Sequence, residues 1–225
     1  MKVLNIIIIG IVLTITSCAP SRFVEPLQKN ELAVGGNLGG PLIKFGSAVI
    51  PLPVSAIEVG YGLDTNLTIH GGIHTTALVF NNFQMDFGCT YKFLNQKKYT
   101  PNLSVTPGVN FIFDLNDKNS KLWPLLDLNA YWNYGRNRSY FYSGFSNMFE
   151  LSKTMANDQP QKQRWLLSPQ IGHVLKNKTG KIQFTSEIKF LGLNQSNAYA
   201  FLPYASLTGK SGATGVYLGF RYIFK

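Results

Sequence analysis

The sequence predicts an all-β fold, an antiparallel up-and-down transmembrane β-barrel of about ten strands, and three observations predict it. The first is composition. The 225 residues are 45% hydrophobic and 13% aromatic but only 14% charged, against about 25% charged in an ordinary soluble chain. A disordered or coiled-coil protein is excluded, and the surface is short of groups that face water. The second is periodicity: from Glu31 onward, apolar and polar residues alternate in segment after segment, and no 3.6-residue stripe competes. The third is that the connections between segments alternate between long and short, as in bacterial outer-membrane barrels.

Taken in order, Met1-Lys2 supplies a positive charge, and Val3 to Thr16 is an apolar run ending at Ser17-Cys18. The run is shorter than the roughly 20 residues a spanning helix needs, so residues 1–17 read as a signal peptide. Ile15-Thr16-Ser17-Cys18 resembles a lipobox, which makes Cys18 the expected lipidated first residue of the mature chain. A covalent lipid on Cys18 is the only expected addition; no cofactor is indicated. Residues 18–30, with Pro20 and Pro26, read as a lipidated tether. Cys89 then has no partner and is expected to act as a small apolar residue. No C-x-x-C or H-E-x-x-H spacing points to a metal.

The barrel domain is expected over 31–225, with strands near 31–40, 54–63, 66–75, 78–94, 101–113, 122–134, 139–149, 165–176, 181–192 and 214–225. The alternation is cleanest in Lys181–Leu191, where Ile182, Phe184, Ile188 and Phe190 oppose Gln183, Thr185, Glu187 and Lys189. Phe83–Phe93 sets Phe83, Met85, Phe87, Cys89, Tyr91 and Phe93 against Gln84, Asp86, Gly88, Thr90 and Lys92. Segment 139–149 is the weakest, with aromatic groups on both faces. Every odd connection is long apart from a tight one at 76–77, and an even strand count puts both chain ends on the short-turn side.

The polar face decides which solvent each face meets. A soluble barrel shows water many Lys and Glu, whereas this face is mostly Ser, Thr, Asn, Gln and Gly, suited to a crowded interior. Its few charges, Glu58, Asp86, Asp127 and Glu187 against Lys92, Lys189 and Arg221, are expected to pair across a polar lumen. About ten residues tilted near 45° span the roughly 25 Å apolar band of such barrels. Tyr61, Phe93, Tyr99, Trp123, Trp132, Tyr134, Tyr140 and Trp165 fall near segment ends, where an interfacial belt belongs.

The run Gly60-Tyr61-Gly62-Leu63-Asp64-Thr65-Asn66-Leu67-Thr68-Ile69-His70-Gly71-Gly72 resembles the strand–turn–strand repeat of bacterial outer-membrane barrels. The final segment, with Gly219, Tyr222 and Phe224, resembles the carboxy-terminal signal read by the barrel assembly machinery, although Lys225 follows the terminal Phe. With the lipobox, the chain resembles outer-membrane β-barrel lipoproteins of Bacteroidota-type bacteria. That resemblance implies an outer-membrane location, the assembly machinery and membrane lipids as partners, and assembly rather than any activity. In that group an acidic run after the lipidated Cys accompanies surface export; Ala19-Pro20-Ser21-Arg22 has none, which favours a periplasmic lipid and periplasmic termini.

Three functions are open at this level. The first is a non-enzymatic barrel: a narrow pore, a plugged scaffold or an accessory subunit meeting an envelope partner at the long loops, with the lumen charges setting any ion preference. The second is a barrel-hosted hydrolase, omptin-like or lipid A-modifying. His70 and His74 lie four apart on one inward face near Asp86 and Glu58, but no G-x-S-x-G or other nucleophile motif accompanies them. The third is a soluble lipid-anchored barrel with an apolar ligand inside. The net charge of +10 is scattered among turns, including Lys97-Lys98, Arg136, Arg138, Lys176 and Lys178. That distribution points away from nucleic acid and toward anionic lipid.

Overall fold

The computed structural model describes residues 20, 22–154, 160–198, 200 and 202–225. Residues 1–17, expected as a signal peptide, and Cys18 lie outside the described residues. Among the described residues eleven strands form: β1 (Leu32–Phe45), β2 (Ala48–Pro51), β3 (Val54–Asp64), β4 (Leu67–Ile73), β5 (Asn82–Leu94), β6 (Asn102–Asp114), β7 (Ser120–Tyr134), β8 (Ser139–Phe149), β9 (Trp165–Lys176), β10 (Ile182–Ser196) and β11 (Ser211–Phe224). Each pairs antiparallel with the next in sequence, except that β1 pairs with both β2 and β3, and β11 pairs back to β1 from Leu32↔Phe224 to Pro41↔Gly215. The result is a closed antiparallel barrel of ten strands, with β2 as a small flap that pairs only with the end of β1. Closure leaves the ten-stranded wall without an open edge.

The faces sort as the alternation predicts. On β5, Phe87 is 55% exposed on the outside while Asp86 is 7% and Thr90 0% exposed on the inside. The same parity puts Leu38, Phe141, Phe145, Ile171 and Leu218 outside, and Thr68, Ser104, Asn129, Gln170 and Glu187 inside. Cys89 is on the outer face of β5, free and partly exposed. Segment 139–149 is resolved by the same rule: Tyr140 and Tyr142 turn in, Phe141 and Phe145 turn out. An exterior of exposed Leu, Ile, Val and Phe around a polar, hydrogen-bonded interior is the arrangement hydrocarbon solvates, because closure lets each wall strand pair its backbone with a neighbour on both sides.

Several boundaries differ from the sequence expectation. Residues 74–81, expected as strand on either side of a tight turn, hold a short helix α1 (Thr75–Val79), so this odd connection is long like most of the others. Conversely 115–119 is short, because β6 and β7 stay paired to Phe113↔Ser120. The expected loop 41–53 is largely the β1–β2 hairpin, built on the apolar residues Leu42, Ile43, Val49 and Ile50. The long connection after β10 pairs onto that hairpin through Lys44 N–Pro203 O (2.9 Å), Ala205 N–Leu42 O (2.8 Å) and the bridge Ile43↔Tyr204. Its Tyr199 and Phe201 lie outside the described residues. Trp123 and Tyr140, assigned to the aromatic belt, are buried inside the barrel, since both sit on the inward parity. Tyr61, Phe93, Trp132, Tyr134 and Trp165 are exposed on the outside, and Tyr99 on a turn.

Candidate functional site

The largest departure from expectation is Pro20 and residues 22–27. Expected as part of a tether over 18–30, they instead lie inside the lumen, with Arg22, Phe23, Val24 and Leu27 all buried. The physical reason is that the inner wall offers this segment the partners it needs. Its backbone is hydrogen-bonded by the wall: Leu27 N donates to Thr68 Oγ1 (2.8 Å) and Ser104 Oγ donates to the Val24 carbonyl (2.7 Å). Phe23 and Leu27 pack with Ala33 and Ile223, and Val24 packs with Tyr131, Tyr140, Tyr142 and Val174. The lumen is therefore polar with apolar patches where the segment rests.

Three inward glycines shape the seat. A Cβ on Gly60 would lie 2.3 Å from Phe23 Cζ, one on Gly62 would lie 2.0 Å from the Gln28 carbonyl oxygen, and one on Gly72 would lie 2.6 Å from Arg22 Nη2. Any side chain there meets the segment, so the repeat that looked like a generic strand–turn–strand signature also clears room for it.

The electrostatic centre is Arg22. Its Nη1 donates to Glu58 Oε2 (2.7 Å), while Nε and Nη2 donate to Asp86 Oδ1 and Oδ2 (2.6 Å each). Glu58 is also held through Oε1 by Arg221 Nε (2.9 Å) and Nη2 (2.6 Å), and Asp86 Oδ2 by His74 Nε2 (2.9 Å). Phe23 stacks on His70 at 5.2 Å, and the Arg221 guanidinium carbon lies 3.8 Å from the Phe23 ring centre. Removing one member of such a buried network leaves an uncompensated charge, at a cost of about 3–5 kcal/mol. At the turn-side rim, Glu25 pairs with Lys176 and lies 3.8 Å from Arg138, and Lys92 stands close by.

Of the expected lumen charges, the structure joins Glu58, Asp86 and Arg221 through Arg22, which the sequence reading did not single out. Glu187 accepts from Tyr142 OH (2.7 Å) and lies 3.6 Å from Lys189. Asp127 neighbours Ser146 and Lys189 around a cavity of about 60 Å³ that Pro20, Arg22, His70 and Asp86 also line. Lys92 belongs to the rim rather than to the centre. His70 and His74 both face inward as expected, but His70 Nε2 bonds the Thr90 hydroxyl (3.1 Å) while His74 Nε2 bonds Asp86 (2.9 Å), so the two histidines serve separate partners. Gly219 lines the lumen wall, while the Tyr222 and Phe224 rings touch each other at 4.7 Å.

No family model matches the chain, and no curated protein does. Among solved structures, it is similar to the translocator domain of the autotransporter NalP from Neisseria meningitidis. That match has 9% identity and a TM-score of 0.51, covering 99% of this chain and 97% of that one. It is also similar to an outer membrane channel from Pseudomonas putida F1 at 9% identity and TM-score 0.48, covering 92% and 100%. A third match is the outer membrane protein OprG from Pseudomonas aeruginosa at 13% identity and TM-score 0.35, covering 89% and 99%. The likeness is one of fold, and it defines the class: a closed β-barrel of the kind found in the outer membranes of Gram-negative bacteria.

The glycine seat gives a direct test. With the other cysteines replaced, Val24→Cys in the folded barrel is expected to resist a soluble maleimide. Adding Gly60→Val displaces Phe23, and labelling is expected to accelerate at least about tenfold, since buried groups react through the open population. Unchanged protection with the barrel still folded contradicts the seat.

Proposed function

We propose that this protein is a non-enzymatic outer-membrane barrel lipoprotein whose path through the membrane is closed by its own residues 20–27. The observation that carries this reading is the ion-paired seating of Arg22 between Glu58 and Asp86 in the lumen. A ten-stranded lumen is only modestly wider than an eight-stranded one, which side chains nearly fill, so one extended segment suffices to block it. A hydrolase is disfavoured because the carboxylate nearest the two histidines is already engaged by a guanidinium. A carrier of an apolar ligand is disfavoured because the interior surface is mostly Thr, Ser, Asn, Gln and charge. Outer-membrane lipids, met by the apolar exterior, and the barrel assembly machinery are the partners this reading requires; an envelope partner would meet the long connections on the opposite end.

Conductance in planar bilayers tests the reading. Full-length protein is expected to show small or no steps, and a variant lacking residues 19–27 larger, frequent ones; equal conductance contradicts the plug. Metabolic palmitate labelling tests the anchor: incorporation that is lost in Cys18→Ala is expected, and none in the wild type removes the lipid.

A further inference from the structure

Resting on the reading that residues 20–27 are a removable occupant, we infer that Glu58 and Asp86 form a guanidinium-binding site in the lumen, which Arg22 fills as an internal ligand and which an arginine-type solute can take in its place. The site is built for this group rather than for positive charge in general. Three guanidinium nitrogens each meet a separate carboxylate oxygen at 2.6–2.7 Å, two of them as a fork on Asp86. A planar fork of this kind suits guanidinium and not a compact ammonium. His74 fixes one oxygen of Asp86 and Arg221 fixes one of Glu58, so both acceptors are oriented from behind. Gly72 leaves the space the group occupies: a Cβ there would lie 2.7 Å from Arg22 Cζ.

Access comes from the same region. A cavity of about 60 Å³ lies against Arg22 and Asp86 and extends past them to Asn110, Asp127 and Lys189, which leaves free space beside the site. His70, which also lines it, is buried with its Nδ1 lacking a hydrogen-bond partner, a polar atom left available beside an incoming solute. When Arg22 leaves, Glu58 and Asp86 retain Arg221 and His74 but lose the cation bound to both. The site then binds an external guanidinium most strongly where the segment binds least.

The test uses full-length protein in detergent. Arg22→Ala is expected to melt below the wild type, and millimolar methylguanidinium is expected to raise its melting point. Methylammonium should need a concentration at least about tenfold higher for the same effect. The wild type, whose site is filled, should not respond, and Glu58→Gln added to Arg22→Ala should weaken the response. If Arg22→Ala does not fold alone, recovery of folded protein in methylguanidinium and not in methylammonium supports the site equally. Equal response to both cations, or no response and no recovery, overturns it. On the variant lacking residues 19–27, free arginine and an arginine-terminated peptide should each reduce conductance more than lysine does; no preference also overturns it. Failure of the deletion to raise conductance removes the pore while the melting assay still decides the site.

Discussion

The fold depends on one constraint: a sheet with one apolar and one polar face must close so that each face meets a medium that satisfies it. Here the polar face turns inward, where most of its side chains are buried, so its groups have to satisfy one another. They do so in short chains such as His70–Thr90–Thr106, with 3.1 and 2.9 Å links, and in pairs such as Gln84–Asn110 and Gln170–Asn129. Ser, Thr, Asn and Gln serve this role because each both donates and accepts.

The wall alone does not complete the pairing of its carboxylates. Glu58 is held by Arg221 and Asp86 by His74, and a further cation that bridges the two carboxylates is brought in by Arg22 of the amino-terminal segment. Once Arg22 is drawn in, the residues after it must be accommodated. Phe23, Val24 and Leu27 then meet apolar patches, and Gly60, Gly62 and Gly72 stand where any larger residue would collide with them. Charge, packing and wall shape thus specify the same position for the segment. That agreement across independent levels is what a designed seat, rather than a chance contact, looks like.

Much of this was legible in the sequence because strand parity is a strict rule. Once Phe87 is placed outside, Asp86 and Thr90 must be inside, and the same logic located Glu58, His70, Glu187 and Arg221 in the lumen. What was not legible has identifiable causes. Leu78-Val79-Phe80 is apolar enough to read as the start of a strand, and a five-residue helix is too short to show a 3.6 period. Trp123 and Tyr140 were assigned by residue type and proximity to segment ends, although their parity already placed them on the inward face. Residues 20–27 were read through Pro20, Pro26 and the neighbouring Cys18 as a tether. Two signals pointed to the lumen: an excess of inward carboxylates near Glu58 and Asp86, and paired glycines at 60 and 62 on the inward face of β3.

The central claim, that lipid covers the phenylalanine side of this sheet, is tested most directly by a scan along one strand. Single cysteines placed in turn from Phe83 to Phe93 of β5, carrying a fluorophore in vesicles of brominated lipid, should be quenched at alternate positions. Strong quenching is expected at 85, 87, 89 and 91 and weak quenching at 84, 86, 88 and 90. Quenching of the opposite parity, or none at any position, would contradict it.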